Sequence, residues 1–281
     1  MVDWSRSVFI INRSYRIPGA GLTLGMTICW LTLLVIVPLL GIFWCTSRLG
    51  WHGLWKIWTA PRVLFALRLS FVTALIAALI NVCIGSMIAF VFARYTFPGK
   101  RIFDAIIDLP FALPTAVAGI ALTALYGPSG WLGHWFESWG IKFVFRPSGI
   151  VLALIFVGLP FVVRIVQPVL EDLEPELAQV ATTLGASRWQ TVRRVVVPEI
   201  LPAVLTGFVL AFARGVGEYG SVVFIAGNLP NYTEIAPLLI SIRLGEFDYA
   251  GATAIASVML ILSFIVLLSV NLLQSRWIRQ T

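Results

Sequence analysis

Four ionisable residues lie inside or at the ends of long apolar stretches, where a charge is costly and usually faces protein or water. Arg214 and Glu218 are four positions apart, so on a helix they share one face and can form an ion pair. Asp108 and Arg164 lie in two other apolar stretches, and Arg164 can also extend to lipid headgroups. Two roles are open for these groups: ion pairs that stabilise the protein, or a pathway or gate for a charged solute.

Prolines and glycines that can break a helix accompany these charges. Non-helical backbone inside a membrane is tolerated only where it is buried in protein or lines a cavity. The pattern therefore makes the same stretches candidates for a pathway or gate, with simple helix kinking as the alternative. The helix-breaking residues are Pro110, Pro114, Gly215, Gly217 and Gly220.

The sequence contains no recognisable catalytic or metal-binding constellation. Cys29, Cys45 and Cys83 lie in or beside apolar runs without metal-ligand spacing, and the two histidines are far apart. The phosphate-binding pattern GxxxxGK[ST] is missing. We therefore expect a chain that is not an enzyme, binds no cofactor or metal, and hydrolyses no nucleotide by itself.

The composition is typical of a membrane protein. Hydrophobic residues make up 59% of the chain and charged residues 12%, whereas soluble domains average about 45–50% and about 25%. The formal net charge is +7, but the basic residues lie at the ends of apolar segments rather than in one stripe. This distribution argues against nucleic-acid binding and is typical of membrane orientation signals.

Six apolar segments are long enough to cross a bilayer, which takes about 20 residues per helix. Lys and Arg are more frequent in the connections on the side of the N-terminus, which predicts that both termini are cytoplasmic. We therefore predict an all-α polytopic membrane protein with about six transmembrane helices. The predicted spans are residues 22–44, 66–93, 105–126, 149–170, 200–225 and 250–273.

Three regions follow from these spans. Residues 1–21 form a cytoplasmic N-terminal segment, residues 22–275 the transmembrane domain, and residues 276–281 a cytoplasmic tail. In two proposed outer loops, tryptophans recur at helical spacing, which predicts short helices that lie at the membrane surface as anchors or as a rim for an external partner. These tryptophans are Trp51, Trp55, Trp58, Trp131, Trp135 and Trp139.

The longest inner connection, residues 171–199, predicts two short helices joined by a glycine hinge. Pro175 suits the first position of a helix, and Gly185 suits a left-handed helix end. Ser187 begins an S-x-x-Q capping box for the second helix, and Pro198 closes that helix. An apolar face with helical spacing runs along the first helix, formed by Leu177, Val180, Ala181 and Leu184.

This stretch resembles the EAA loop of ABC-importer permeases, whose pattern is E-A-A, three residues, G, nine residues and I-x-L-P. Here Gln179-Val180-Ala181 stand for E-A-A, Gly185 is at the required distance, and Val195-Val196-Val197-Pro198 close the pattern. Gln179 replaces the family's Glu, and valines replace its first Ala, its Ile and its Leu. The resemblance implies that the loop couples the membrane domain to a separate ATPase.

Five further segments resemble the sulfate/thiosulfate (CysT-type) permease family, over roughly residues 65–276. The resemblance implies the type I ABC importer fold and sulfate, with thiosulfate, as the cargo. The segments are 97–99 (FPG), 108–119 (DLPFALPTAVAG), 159–164 (LPFVVR), 166–171 (VQPVLE) and 224–228 (FIAGN).

The same resemblance implies a multi-subunit assembly in a bacterial-type inner membrane. The expected partners are a homologous CysW-type permease, two cytosolic ATPases that bind ATP and magnesium, and an external sulfate-binding protein. Three alternatives remain open: a molybdate or tungstate permease, an ion-gradient-driven secondary transporter, and a membrane-embedded enzyme, for which the sequence offers no catalytic constellation.

Overall fold

The computed structural model describes residues 20–173 and 180–278, and all regular structure in these ranges is helical. The predicted all-α fold is confirmed for this part of the chain. The helices are α1 (Gly21–Ser47), α2 (Gly50–Trp58), α3 (Pro61–Arg94), α4 (Lys100–Ala112), α5 (Thr115–Tyr126), α6 (Trp131–Glu137), α7 (Pro147–Asp172), α8 (Arg188–Val216), α9 (Gly220–Ala226), α10 (Ala236–Gly245) and α11 (Tyr249–Ile278), and residues 180–183 are also helical.

Five of these helices, α1, α3, α7, α8 and α11, are long and apolar enough to cross a membrane. A sixth span results if α4 and α5 are counted together, although they are bent by 115° at their junction. The prediction of about six spans is therefore confirmed. Four of the predicted segments lie within one continuous helix each, whereas the third and the fifth are interrupted.

The interruption of the third span lies at Leu113 and Pro114. Leu113 has ψ of 135° and Pro114 ψ of 130°, so both are extended between α4 and α5. A residue before proline is driven out of the helical region by contact with the proline ring, which explains why α4 ends here. Pro110 lies inside α4 and does not end it.

The predicted fifth span, residues 200–225, is also two helices. α8 ends at Val216, and α9 begins at Gly220. A Cβ on Gly220 would overlap Thr115 Oγ1, and a Cβ on Gly119 would overlap the Ser221 carbonyl oxygen. The backbones of α5 and α9 are therefore in direct contact, and the two interrupted spans meet at their breaks.

The second helix of the 171–199 connection does not end at Pro198, contrary to the prediction. α8 begins at Arg188 and continues to Val216, with a π-helical turn at Val192–Val196. The Val197 N–H bonds to the Val192 carbonyl, five residues back. Proline in a regular helix lacks a donor and collides with a preceding carbonyl, and the wider turn directly before Pro198 accommodates both effects.

The core of the bundle is the packing of α3, α7 and α8 on one another. Val162 of α7 is fully buried between two glycines, Gly85 of α3 and Gly207 of α8. A Cβ on Gly85 would lie 3.0 Å from Val162 Cβ, and one on Gly207 would lie 3.1 Å from Val162 Cα. Small residues thus allow close helix approach, as is typical of membrane helix pairs.

The first span lies apart from this core. None of its membrane-length window is buried against the rest of the described chain, and only its second half packs against α11. The predicted short tryptophan helices are α2 and α6. Trp58 of α2 donates from Nε1 to the Ala254 carbonyl at 2.9 Å, whereas Trp131 of α6 is 81% exposed.

We expect Gly119→Leu to destabilise the protein by about 3 kcal/mol, because the added side chain meets the backbone of α9 rather than a movable side chain. Gly25→Leu is the matched control, since a Cβ on Gly25 of α1 meets nothing within 4 Å. The midpoint of thermal unfolding in detergent measures the difference. Equal midpoints for the two variants would contradict the packing of α5 on α9.

Candidate functional site

The left-handed helix end predicted at Gly185 in the 171–199 connection is confirmed. Gly185 has φ of +82°, a conformation that a side chain disfavours. Its N–H donates to the Thr182 carbonyl at 3.0 Å, and the Ala186 N–H donates to the Ala181 carbonyl at 3.0 Å. This pair of bonds is the Schellman motif, which ends a helix and turns the chain. Three residues predicted for the preceding helix, Pro175, Leu177 and Gln179, lie outside the described residues.

The part of the apolar face that the structure describes is uncovered. Leu184 is 83% exposed and Val180 is 56% exposed, whereas Ala181 is half-buried. Apolar side chains of this size on a polar connection are typical of a surface that another molecule covers.

The capping box is confirmed in both halves. The Ser187 N–H donates to Gln190 Oε1 at 2.8 Å, and the Gln190 N–H donates to Ser187 Oγ at 3.3 Å. These bonds fix the start of α8, with its cap Ser187 two residues after Gly185. Only Ala186 therefore separates the Gly185 turn from the capping residue of α8.

The pair Arg214–Glu218 is confirmed, and it lies at the break in the fifth span. Arg214 Nη1 contacts Glu218 Oε2, and the Glu218 side chain is 1% exposed while that of Arg214 is 33% exposed. Glu218 Oε1 accepts bonds of 2.9 Å from both the N–H and the Oγ of Ser221. Glu218 thus satisfies the first turn of α9 and links it to the end of α8.

Arg164 and Asp108 contact each other. Arg164 of α7 donates from Nε and Nη2 to the two carboxylate oxygens of Asp108 on α4, at 2.7 and 2.6 Å. Arg164 Nη1 donates to Asp104 Oδ1 at 2.8 Å, and Nη2 donates to the Asp104 carbonyl at 3.1 Å. The guanidinium therefore does not extend alone to lipid headgroups, and its planar fork ties α4 to α7.

Sequence reasoning missed Asp104, although its spacing from Asp108 places the two carboxylates on one helix face. It also missed a forked ion pair at the other end of the bundle. Arg62 donates from Nε and Nη2 to Glu234 at 2.8 and 2.7 Å, and the Glu234 side chain is 1% exposed. No local spacing reveals a pair separated by 172 positions.

Asn81 is a further polar group that sequence reasoning missed. Its side chain is 1% exposed in the core, and neither amide atom has a hydrogen-bond partner among the described residues. A Cβ on Gly158 would overlap its Nδ2. The glycine on α7 therefore leaves the space that this amide occupies.

We expect Arg214→Gln to destabilise the protein by about 1–3 kcal/mol, because a buried carboxylate loses its cation and keeps only the Ser221 bonds. The double variant Arg214→Gln, Glu218→Gln should regain most of this loss, since Gln Oε1 can still accept from Ser221. Unfolding by SDS in mixed micelles measures the stability of the single and the double variant. An Arg214→Gln protein of unchanged stability but altered transport would contradict a structural pair.

Comparisons with known proteins give a consistent result. A family model described as "Binding-protein-dependent transport system inner membrane component" matches residues 81–279. The chain is 43% identical to the "Sulfate transport system permease protein CysT" of Escherichia coli, over 97% of this chain and 99% of that protein. It is 46% identical to the protein of the same name from Synechocystis sp., over 91% of this chain and 89% of that one.

Solved structures share the fold at low sequence identity. A bacterial ABC transporter involved in the import of the acidic polysaccharide alginate superposes with a TM-score of 0.75 and 16% identity, covering 91% of this chain and 94% of that chain. A bacterial alginate ABC transporter in complex with an alginate pentasaccharide-bound periplasmic protein superposes with a TM-score of 0.75 and 17% identity, covering 91% of this chain and 93% of that chain. The expected type I ABC importer fold is thereby confirmed. The chain is a multi-pass membrane protein that belongs to the binding-protein-dependent transport system inner membrane components and, among them, to the CysT permeases.

Proposed function

We propose that the chain is the sulfate-translocating permease subunit of an ATP-binding-cassette importer in a bacterial-type inner membrane, with thiosulfate as a second cargo. The observation that carries this proposal is the 43% identity to the sulfate permease of Escherichia coli along nearly the whole of both chains. The hinged loop and the two interrupted spans support it, because they provide a coupling element and a break at membrane depth.

The free-energy cost of sulfate import favours an ATP-driven transporter over a passive channel. Moving a dianion inward against 100 mV costs about 4.6 kcal/mol, and a thousandfold gradient adds about 4 kcal/mol. The sequence contains no phosphate-binding loop. We therefore assign ATP and magnesium to two cytosolic partner subunits and give this chain no ATPase site of its own.

The interrupted spans are the proposed pathway or gate. Arg214 is one-third exposed at the break between α8 and α9, and its charge is balanced by Glu218. Pro114 lies beside that break, next to Thr115, which contacts Gly220. A modestly cationic lining allows an anion to enter and also to leave. Next to this region, the ion pair between Arg164 and Asp108 holds α4 against α7. Pro110 lies in the same part of α4.

The proposed coupling route runs from the loop into the membrane. Val180 and Leu184 are exposed for an ATPase groove, and the left-handed turn at Gly185 and the capping box at Ser187 connect them directly to α8. α8 then continues past Pro198 to Arg214 at the break. A displacement of the loop can therefore reach the pathway as movement of one helix. Pro175, Leu177 and Gln179 belong to the same proposed ATPase contact.

The excess of Lys and Arg in the connections on the side of the N-terminus supports a cytoplasmic position for this loop and for both termini. The remaining proposed partners are a homologous CysW-type permease and an external sulfate-binding protein. The periplasmic protein bound to the alginate transporter of the same fold supports the second assignment. A permease for molybdate or tungstate and an ion-gradient-driven transporter are the competing functions.

Sulfate with its binding protein should stimulate ATP hydrolysis severalfold in proteoliposomes that contain this chain with its co-purified partners. The measurement is phosphate release with sulfate, thiosulfate, molybdate or tungstate at equal concentration. Stimulation by molybdate or tungstate alone would overturn the cargo assignment. Uptake that persists without ATP and collapses with the proton gradient would overturn the importer class.

Gly185→Val should reduce sulfate uptake about tenfold, because a side chain in the left-handed region costs about 1–2 kcal/mol and disturbs the hinge. Gly140→Val is the matched control. Gly140 also has a positive φ, +76°, and a Cβ at either glycine meets nothing within 4 Å. Both variants therefore carry the same local strain. Equal uptake by the two variants, at equal expression, would contradict a coupling role for the hinge.

A further inference from the structure

An apolar groove separates α3 from α4. The ion pairs of Arg164 hold α4 against α7, whereas α3 and α4 make few direct contacts with each other. The space between the two helices is a groove of about 650 Å³ whose lining residues are all apolar. Its walls include Met87 and Ile106, which are 70% and 54% exposed. Further lining residues are Ile84, Val91, Phe97 and Phe103.

One end of this groove is cationic. Lys100 Nζ donates to the carbonyl of Phe92, a lining residue, at 2.5 Å, which fixes the ammonium at the end of the groove. Arg101 is exposed next to it and forms no ion pair with any residue in the described ranges. Lys100 and Arg101 also line a polar recess that adjoins the groove, together with two carboxylates, Asp104 and Glu171. Asp104 is paired with Arg164, and Glu171 accepts a hydrogen bond from Gln167.

The residues at this end of the groove are typical of the membrane–water interface. Tyr95 is 57% exposed in the connection between α3 and α4, and its ring contacts Phe90 edge to face with centroids 6.4 Å apart. Exposed tyrosines at span ends are typical of the membrane interface. Arg94 donates to the Leu173 carbonyl at 3.1 Å, so the cationic end is on the same side as the 171–199 connection.

We propose that this groove binds an anionic phospholipid, with an acyl chain between α3 and α4 and the headgroup phosphate at Lys100 and Arg101. The occupant must be apolar along the groove and negative at one end, and a phospholipid combines both properties. Basic pockets between membrane helices bind anionic headgroups in this way. An apolar helix of a partner subunit would match the walls but leave the two cations unmatched. The bound acyl chain would fill the space between α3 and α4.

The test measures retained lipid. The full-length chain, with any subunits that co-purify, is equilibrated in nanodiscs of equal phosphatidylglycerol and phosphatidylcholine, re-extracted in mild detergent and washed. Mass spectrometry then counts phospholipid per chain. We expect the wild type to retain phosphatidylglycerol in preference. Arg101→Gln should lower this retention about fivefold, the effect of one cation near the headgroup. Ile106→Trp should abolish it by filling the groove.

Two matched controls separate this site from general lipid contact. Arg48→Gln removes an exposed arginine that ends α1, and Leu64→Trp enlarges a 51% exposed residue at the far end of α3. Both should retain phosphatidylglycerol like the wild type. Size-exclusion profiles confirm that each variant is folded, and Met87→Trp replaces Ile106→Trp if the latter aggregates.

Three results would overturn the proposal. Equal retention of the two lipids would show a non-specific lipid annulus. Unchanged retention in both Ile106→Trp and Met87→Trp would show that the lipid binds elsewhere. Crosslinking of Met87→Cys to another polypeptide, in a background without Cys29, Cys45 and Cys83, would show that a protein helix covers the groove.

Discussion

Backbone N–H and C=O groups at membrane depth need partners within the protein, because hydrocarbon offers none. The two interrupted spans make this requirement acute, since each break releases backbone groups from their helix. The protein meets it by placing the breaks against each other and by using Glu218 at the second break, where its carboxylate accepts from the backbone and side chain of Ser221. The buried carboxylate in turn requires Arg214. The need to pair the backbone at the start of α9 thus determines the position of the Arg214–Glu218 ion pair.

The same reasoning explains the other charges of the bundle. Glu234 is fully buried and receives both of its bonds from Arg62, which fastens the chain before α10 to the start of α3. Arg164 is shared by Asp104 and Asp108, so this cluster has one carboxylate more than it has cations. In the proposed pathway, an anion would therefore meet arginines that are already paired. This arrangement suits transit better than tight binding.

The sequence predicted the features that depend on local spacing. Hydropathy gave the spans, the four-residue spacing of Arg214 and Glu218 gave their ion pair, and Gly185 with the capping box at Ser187 gave the hinge. The features that depend on tertiary packing were not predictable in this way. Arg164 and Asp108 are 56 positions apart, and nothing local to either residue indicates which helix the other occupies.

The course of the chain at Pro198 shows a different limit of prediction from the sequence. Proline is a helix breaker by its local chemistry, and that chemistry predicted a helix end. The structure instead widens the preceding turn, Val192–Val196, and continues the helix. A single residue's preference is overridden here because an interruption at this point would leave additional unpaired backbone groups next to the membrane.

The continuity of α8 has a mechanical consequence. A helix of 29 residues is about 43 Å long at 1.5 Å per residue. It can act as a lever whose N-terminal end, at Arg188, follows the turn at Gly185. A tilt of the helix by about five degrees about that end would displace the other end by roughly 4 Å, about a third of the diameter of a helix with its side chains. The π-turn near the base is the most compliant part of this lever. In the proposed coupling route, the stiffness of this turn would set how much of a displacement of the loop reaches the break between α8 and α9.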